Sequence, residues 1–158
     1  MSESTEQAKM EESDAQQFGL QRIYTKDVSF EMPQGAALFT QVWKPAIQQE
    51  IATGGTSLGD DRHEVVLTLT LTGKIDDKPA FLVEVQQAGI FLIKGLNAEQ
   101  MRQVIGATCP GILFPYAREA IDSLMTRGTL PPIMLPHISF DSLYQQALVQ
   151  QASQELKH

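Results

Sequence analysis

The sequence predicts an α+β fold: a four-stranded antiparallel sheet with a kinked long helix and a C-terminal helix on one face. Apolar and polar residues alternate with a period of two from about Phe18 to Ile93, and turn-rich segments rather than helices join the successive runs. After Ile93 the apolar spacing becomes that of amphipathic helices. We expect one domain over residues 17–150, between a disordered N-terminal tail at 1–16 and a flexible C-terminal tail at 151–158.

The first predicted strand is LQRIYTKDVSFEM, which ends at the turn Met32-Pro33-Gln34-Gly35. Its length allows for a bulge. One face carries Leu20, Tyr24, Val28, Phe30 and Met32, and the other carries Ile23, Thr25, Asp27, Ser29 and Glu31.

Three more strands are predicted to follow. The second runs from about Trp43 to Thr53 with Ile47 and Ile51 on one face, and GGTSLGDDR is expected to be a turn-rich connection. The third, HEVVLTLTLTG, places valine and leucine on one face and threonine on the other. The hairpin connection KIDDKPA leads to the fourth strand, AFLVEVQQAGIFLI. Its faces carry Phe81, Val83, Val85 and Gln87 on one side and Leu82, Glu84 and Gln86 on the other.

Helical signals begin at Asn97, which is expected to form a capping box with Gln100. This short helix is expected to end near Thr108. Pro110 suits the first position of a second helix, and Gly128 suits the C′ position at its end.

The last helix follows an extended apolar linker, LPPIMLP, and Ser139 is its predicted N-cap. Its apolar stripe is Phe140, Leu143, Tyr144, Ala147 and Leu148.

Pro115 lies inside the second predicted helix. It removes one backbone hydrogen bond and its ring crowds the carbonyl of Gly111, at a cost of about 3 kcal/mol. The sequence therefore predicts a kink early in this helix.

Composition and charge exclude several classes of function. The 158 residues carry a formal net charge of −7, the opposite of the basic surface that binds nucleic acid or anionic membranes. The single cysteine excludes an internal disulfide framework. The polar N-terminus lacks the pattern of a signal peptide, and no apolar run has the length of a membrane span. We therefore expect a soluble cytoplasmic protein.

Few residues have catalytic or metal-binding chemistry. His63 and Glu64 are adjacent in a strand, so their side chains face opposite ways and are poorly placed to share a metal. Cys109 could be a nucleophile if a helix N-terminus lowered its pKa, although a small residue at a helix junction is the simpler interpretation. Asp60-Asp61 and Asp76-Asp77 are typical of solvated turns rather than of paired catalytic carboxylates. We predict no enzyme, no cofactor and no metal site.

Apolar side chains are more plentiful than one layer of helix on sheet can hide. Such a surplus is typical of an oligomer interface or of a groove for apolar ligands.

Four stretches resemble the SecB family of bacterial protein-export chaperones, in the order and with the separation found there. They are QRIYTKDVSFE, FLVEVQQAGIF, GATCPGILFPYARE and SLMTRGTLPPI, and the resemblance extends from about Phe18 to Leu148. It implies a SecB-like fold and a homotetramer built as a dimer of dimers. It also implies an ATP-independent holdase that keeps unfolded precursors translocation-competent and delivers them to the SecA motor ATPase, without inserting into the membrane.

The resemblance also implies three sets of site residues. A surface that binds SecA maps onto Asp27, Glu31, Leu82 and Glu84. A groove for clients maps onto Trp43, Ile47, Ile51, Phe81 and Val104, to which we add Met134 and Leu135 from the linker. Residues of the oligomer interface are Phe114, Tyr116, Ala117 and Ile121 in the long helix, and Val83, Val85 and Gln87, which point inward and would act through the core.

For the prolines, the resemblance implies that Pro110 restarts the helix and Pro115 bends it, so that it lies between two sheets of the tetramer. Alternatively, Pro115 only curves the helix around its own core.

Two other functions stay open at this point. One is a SecB-like chaperone dedicated to an antitoxin, and a more distant one is a ligand-binding or catalytic domain that uses Cys109.

Overall fold

The computed structural model describes residues 15–157. Within them lies one antiparallel sheet of four strands in the order β1-β4-β3-β2, as predicted. Residues 1–14 and His158 lie outside the described residues, so the predicted N-terminal tail falls almost wholly outside them. The strands are β1 (Gln17–Glu31), β2 (Ala46–Gly59), β3 (Arg62–Ile75) and β4 (Lys78–Lys94).

Two-residue turns join β2 to β3 and β3 to β4. Asp60 and Asp61 have φ angles of 53° and 59°, and Asp76 and Asp77 have 52° and 63°. Left-handed backbone at both central residues matches the twist of paired strands, and aspartate tolerates it better than most residues. The prediction that both aspartate pairs form turns is confirmed.

The second strand is longer than predicted, because GGTSLG is strand rather than connection. Its backbone pairs with β3 as far as Gly59, which lies opposite Arg62. Within this segment a side chain at Gly55 would place its Cβ 2.6 Å from Ile105 Cγ2. The glycine thus lets a helical segment approach the strand closely, which composition alone does not reveal.

Strand β1 contains register shifts between Leu20 and Arg22 and between Thr25 and Asp27. A bulge was anticipated, but its effect on the faces was not. Tyr24 is opposite Ala88, whereas Asp27 is opposite Gln86, so one extra residue separates the two pairings. The placement of Tyr24 on the face of Val28 and Phe30 was therefore wrong, because a one-residue slip exchanges the two faces of a strand.

Three helical segments follow one another without a break: α1 (Ala98–Gln103), a π-helical turn (Val104–Thr108) and α2 (Cys109–Arg127). The predicted capping box is confirmed, since Asn97 Oδ1 accepts from the Gln100 N–H at 2.8 Å and Gln100 Oε1 accepts from the Asn97 N–H at 3.1 Å.

Pro110 lies in the first turn of α2, as predicted, but the helical backbone continues into it from the preceding segment without a break. Thr108 already has helical angles (φ −63°, ψ −50°), and the Cys109 N–H donates to the carbonyl of Val104, five residues back. In an α-turn the Pro110 ring would crowd the carbonyl four residues back, and the wider π-turn just before it gives the chain room. Pro115 lies within α2 and does not interrupt it.

The end of α2 differs from the prediction by one residue. Gly128 has a φ of −80°, and the left-handed residue is Thr129, with a φ of 57°. The Leu130 N–H donates to the Met125 carbonyl and the Thr129 N–H to the Thr126 carbonyl, both at 2.9 Å, which is the Schellman pattern. Gly128 is small for another reason: a Cβ there would lie 2.8 Å from Met32 Sδ.

Helix α3 (Phe140–Leu156) begins where predicted, with Ser139 Oγ accepting from the Ser142 N–H at 3.3 Å. It continues to Leu156, so helical backbone extends into the segment predicted as a flexible tail. A 3-10 helix (Gly35–Thr40), which was not predicted, buries Leu38.

The core lies between one face of the sheet and α2. The other sheet face has no helix over it among the described residues, and we call the two the helix face and the open face. Fully buried side chains of the core include Leu67, Leu69, Phe81, Val85, Leu113 and Ile121.

Candidate functional site

The open face brings together the four residues predicted to bind SecA. Asp27 is opposite Gln86 and Glu31 is opposite Leu82, so the β1 pair lies beside Leu82 and Glu84 on the same side of the sheet. Asp27 and Glu31 are exposed, and Leu82 and Glu84 are half-buried. We call this surface the acidic patch (Asp27, Glu31, Leu82 and Glu84).

The acidic patch extends further than predicted. Thr70 is opposite both Glu84 and Glu50, which places Glu50 of β2 in the same cross-strand row. Thr70 Oγ1 donates to Glu84 at 3.2 Å. The signal for Glu50 was available, because it alternates with Ile51, but a single strand does not reveal which strands are neighbours.

A polar cluster on the open face was missed by the sequence analysis. The Tyr24 hydroxyl donates to Glu64 Oε2, and Lys26 Nζ donates to Glu64 Oε1 at 2.8 Å. The Lys26 ammonium, followed by the Tyr24 hydroxyl, lowers the pKa of Glu64. The hydrogen bond to Glu64, aided by burial, raises the pKa of Tyr24 to about 12. Glu64 is 38 residues from Lys26 and 40 residues from Tyr24 in sequence. The local sequence pattern therefore could not predict this cluster.

Gln87 secures the same bulge from the helix face. It is 3% exposed, and its Nε2 donates to the Tyr24 carbonyl at 3.1 Å. The register shift begins at Thr25, which is opposite Gln87. The side chain therefore ties the β1 backbone to β4 next to the register shift.

An apolar groove of about 530 Å³ separates β2 from α3. Its β2 wall is Gln49, Ile51 and Thr53, all on the helix face of the sheet. The remaining lining residues are Gly106, Phe140, Leu143, Tyr144 and Ala147.

The predicted client residues fall into different environments. Ile51 lines the groove, Ile47 is exposed, and Val104, the first residue of the π-turn, is half-buried. Trp43 lines a second, smaller cavity of about 160 Å³ with Leu38, Phe39, Gln41, Thr129, Leu130 and Pro131. The predicted apolar stripe of α3 supplies four of the eight residues that line the larger groove.

Phe81 is fully buried and stacks on Trp43, with ring centroids 6.1 Å apart. It is therefore a support for the wall of the smaller cavity rather than an open surface for a client. Leu135 is also buried, at 6% exposed.

The linker holds Met134 outward. Its side chain is 73% exposed and its φ is 54°, a left-handed conformation that is costly for methionine. Asp122 Oδ1 of α2 accepts hydrogen bonds from the backbone N–H groups of Ile133, at 2.9 Å, and Met134, at 3.2 Å. The carboxylate fixes the linker in this unusual path.

Most residues predicted for the oligomer interface face the core of their own chain. Phe114, Ala117 and Ile121 are buried against the sheet, and of the four helix positions only Tyr116 is exposed, at 50%. These three side chains are buried within a single chain, and their role in an oligomer interface stays a prediction. Val83, Val85 and Gln87 do point inward, as predicted. The outer surface of α2 carries Pro115, Arg118, Glu119, Ser123, Thr126 and Arg127 instead.

Cys109 has no exposed surface, and burial raises its pKa to about 12. The thiol is therefore protonated at neutral pH, the opposite of what a nucleophile requires. No cluster of three or more potential metal ligands occurs within the described residues, and none of their helices is long and apolar enough to cross a membrane.

A family model described as SecB, preprotein translocase subunit SecB, matches residues 11–151. The protein-export protein SecB of Ectopseudomonas mendocina (strain ymp) is 54% identical over 149 residues, covering 93% of this chain and 92% of that protein. The protein of the same name from Hahella chejuensis (strain KCTC 2396) is 50% identical over 138 residues, covering 87% of each.

A solved structure is also similar. A SecB-like chaperone of Mycobacterium tuberculosis, in complex with a ChAD peptide from the HigA1 antitoxin, matches with a TM-score of 0.58 over 84% of this chain and 92% of that chain. At 18% identity this likeness shows the fold alone. It therefore gives no support to the alternative of a chaperone dedicated to an antitoxin.

Proposed function

This chain belongs to the SecB family of protein-export chaperones, and from that premise we propose that it is an ATP-independent holdase. It binds unfolded precursor proteins in the cytoplasm and delivers them to the SecA motor ATPase. The observation that carries the proposal is the apolar groove between β2 and α3, which a single chain leaves open.

The groove is suited to clients of varied sequence. Its walls are leucine, isoleucine and aromatic side chains. Burial of any apolar client side chain against them is favourable by about 25 cal/mol per Å², and this interaction does not depend on direction. Phe140 is the buried residue of α3, whereas Leu143 remains 38% exposed on the same helix. The wall is therefore attached at one end and offers apolar surface along the rest.

The acidic patch supports the delivery step. Its carboxylates suit the short basic, zinc-bearing tail that the family resemblance assigns to SecA. A single exposed ion pair contributes about 0–1 kcal/mol, so useful affinity requires several contacts acting together. A homotetramer that presents the patch several times would supply them.

Assembly as a dimer of dimers is the third part of the proposal. The supporting observations are the position of β1 at an edge of the sheet within residues 15–157 and the exposed outer surface of α2. An unpaired edge strand is a ready template for another strand. The side chains that would meet a second subunit on α2 are its polar outer residues and Tyr116, not its buried apolar ones.

Refolding of a slow-folding precursor tests the holdase. We expect a stoichiometric delay without ATP, and light scattering should show a mass near four times 17.5 kDa that gains one client. Leu143→Gln should weaken client binding about fivefold, because a client would cover only the exposed 38% of a side chain whose full burial is worth about 1.5–3 kcal/mol. Val149→Gln is the matched control, because Val149 lies on the same helix but outside the groove. Equal losses in both variants, or no delay by the unmodified protein, would overturn the proposal.

A further inference from the structure

The polar cluster on the open face adds a residue to the proposed delivery step. We propose that Glu64 acts as a positioning residue that holds the Lys26 ammonium away from Asp27 and so keeps the Asp27 carboxylate free for a basic partner. This inference rests on the proposed docking of SecA at the acidic patch.

The bulge in β1 places the Lys26 side chain on the same face of the sheet as Asp27. Thr25 is opposite Gln87 and Asp27 is opposite Gln86, so Lys26 is the extra residue. Lys26 reaches Glu64 on the open face, where Asp27 also lies, so two consecutive side chains share one side of the sheet. In a regular strand they would point to opposite faces. The bulge therefore puts a cation next to a carboxylate of the acidic patch.

Glu64 binds the Lys26 ammonium on the side of β3, away from Asp27. It lies on β3, beyond β4, and its two oxygens are taken by different groups: Oε1 by Lys26 at 2.8 Å and Oε2 by the Tyr24 hydroxyl. The Glu64 side chain is 18% exposed and that of Lys26 is 46% exposed. Because Glu64 is less exposed than Asp27, water screens its attraction for the ammonium less, which makes Glu64 the stronger partner for the lysine.

The ion pairs of the described residues support this role for Glu64. The Lys26–Glu64 pair is the one salt bridge within residues 15–157, so Asp27, Glu31 and Glu84 form no ion pair with another described residue. A carboxylate outside the acidic patch thus pairs with the lysine that is adjacent to Asp27 in sequence. Without Glu64, Asp27 is the carboxylate adjacent in sequence on the same face.

Fluorescence anisotropy with the labelled basic, zinc-bearing tail of SecA tests the inference. Glu64→Gln keeps the size and hydrogen-bonding capacity of the side chain but removes its charge. We expect it to bind the tail about two- to fivefold more weakly, as befits one exposed ion pair per subunit. The difference should shrink in 1 M salt, where the Debye length is about 3 Å.

The double variant separates charge from structure. Adding Lys26→Met to Glu64→Gln should restore tail affinity, because no cation is left to occupy Asp27. Adding Lys94→Met instead makes the same charge change at the far end of β4, opposite Gln17, and should restore little. If Glu64→Gln has no effect, or if both double variants recover equally, the inference is wrong.

Two controls distinguish this failure from failure of the proposed docking. Asp27→Asn should itself weaken tail binding, and if it does not, the docking site is wrong. A crystal structure of Glu64→Gln does not depend on SecA. It should show Lys26 Nζ within about 4 Å of the Asp27 carboxylate, whereas a Lys26 side chain that turns to solvent would overturn the inference.

Discussion

Helices α2 and α3 have similar lengths, but α2 is packed firmly on the sheet and α3 is mostly exposed. The buried residues of α2 include Leu113, Ala117, Ile121 and Met125, whereas Phe140 is the buried residue that α3 contributes. The difference indicates a division of labour: α2 and the sheet form a tightly packed unit, and α3 with its linker forms an adjustable wall. A holdase needs both, because a rigid groove would select particular clients.

Two glycines give the sharpest test of this contrast. A Cβ at Gly73 would collide with the ring of Phe81, which has no exposed surface. A Cβ at Gly106 would lie 2.9 Å from Tyr144 Cδ2 on α3. We expect Gly73→Ala to lower the free energy of unfolding by about 3 kcal/mol, because the core around Phe81 cannot yield.

Gly106→Ala should cost less than about 1 kcal/mol, since α3 can move outward, yet it should change client affinity. Urea denaturation followed by circular dichroism measures both variants. Similar losses of stability at the two positions would mean that α3 is as firmly packed as α2.

Asp122 joins the two regions, because it lies on α2 and binds the linker that leads to α3. Asp122→Ala should lower the free energy of unfolding by about 1–2 kcal/mol, as two backbone N–H groups lose their acceptor. Limited proteolysis should also cut the linker faster. Asp122→Asn retains an acceptor oxygen and is the matched control. Unchanged proteolysis in Asp122→Ala would show that other contacts fix the linker.

Thr129 marks the boundary where α2 ends. Because a left-handed β-branched residue is strained, Thr129→Gly should raise the free energy of unfolding by about 1 kcal/mol. Thermal unfolding by calorimetry would detect the gain. Thr126→Gly, one turn earlier and in α-helical backbone, should instead destabilise the protein by about 0.3 kcal/mol, the difference between the helix propensities of threonine and glycine. Destabilisation by both would contradict strain at Thr129.

The smallest effect is expected on α3 itself. Val149→Ala removes two methyl groups from a side chain that is 65% exposed, and should change stability by less than about 0.5 kcal/mol. The matched change in α2, Ile121→Ala, should cost about 2–5 kcal/mol. Chemical denaturation of the pair would refute the contrast if Val149→Ala proved comparably costly.

Features set by a local sequence pattern were predicted correctly, whereas features that depend on which strand lies alongside were missed. Alternation placed Asp27 and Glu31 on one face, and the capping box located Asn97, because each signal is local. The face of Tyr24 was missed because it depends on where β1 slips against β4. The Glu64 cluster was missed because it joins strands distant in the chain. For Phe114 and Ile121, hydrophobicity showed that the side chains are buried but not which surface buries them.

The sheet order also has a consequence for synthesis. β2, β3 and β4 follow one another through two-residue turns, so they can pair as soon as they leave the ribosome. β1 is made first, yet its partner is β4, the last strand to appear. Its docking must close a long loop, so it is expected to be the last strand whose amides become protected from hydrogen exchange. The first strand to be synthesised is therefore the last to find its partner in the sheet.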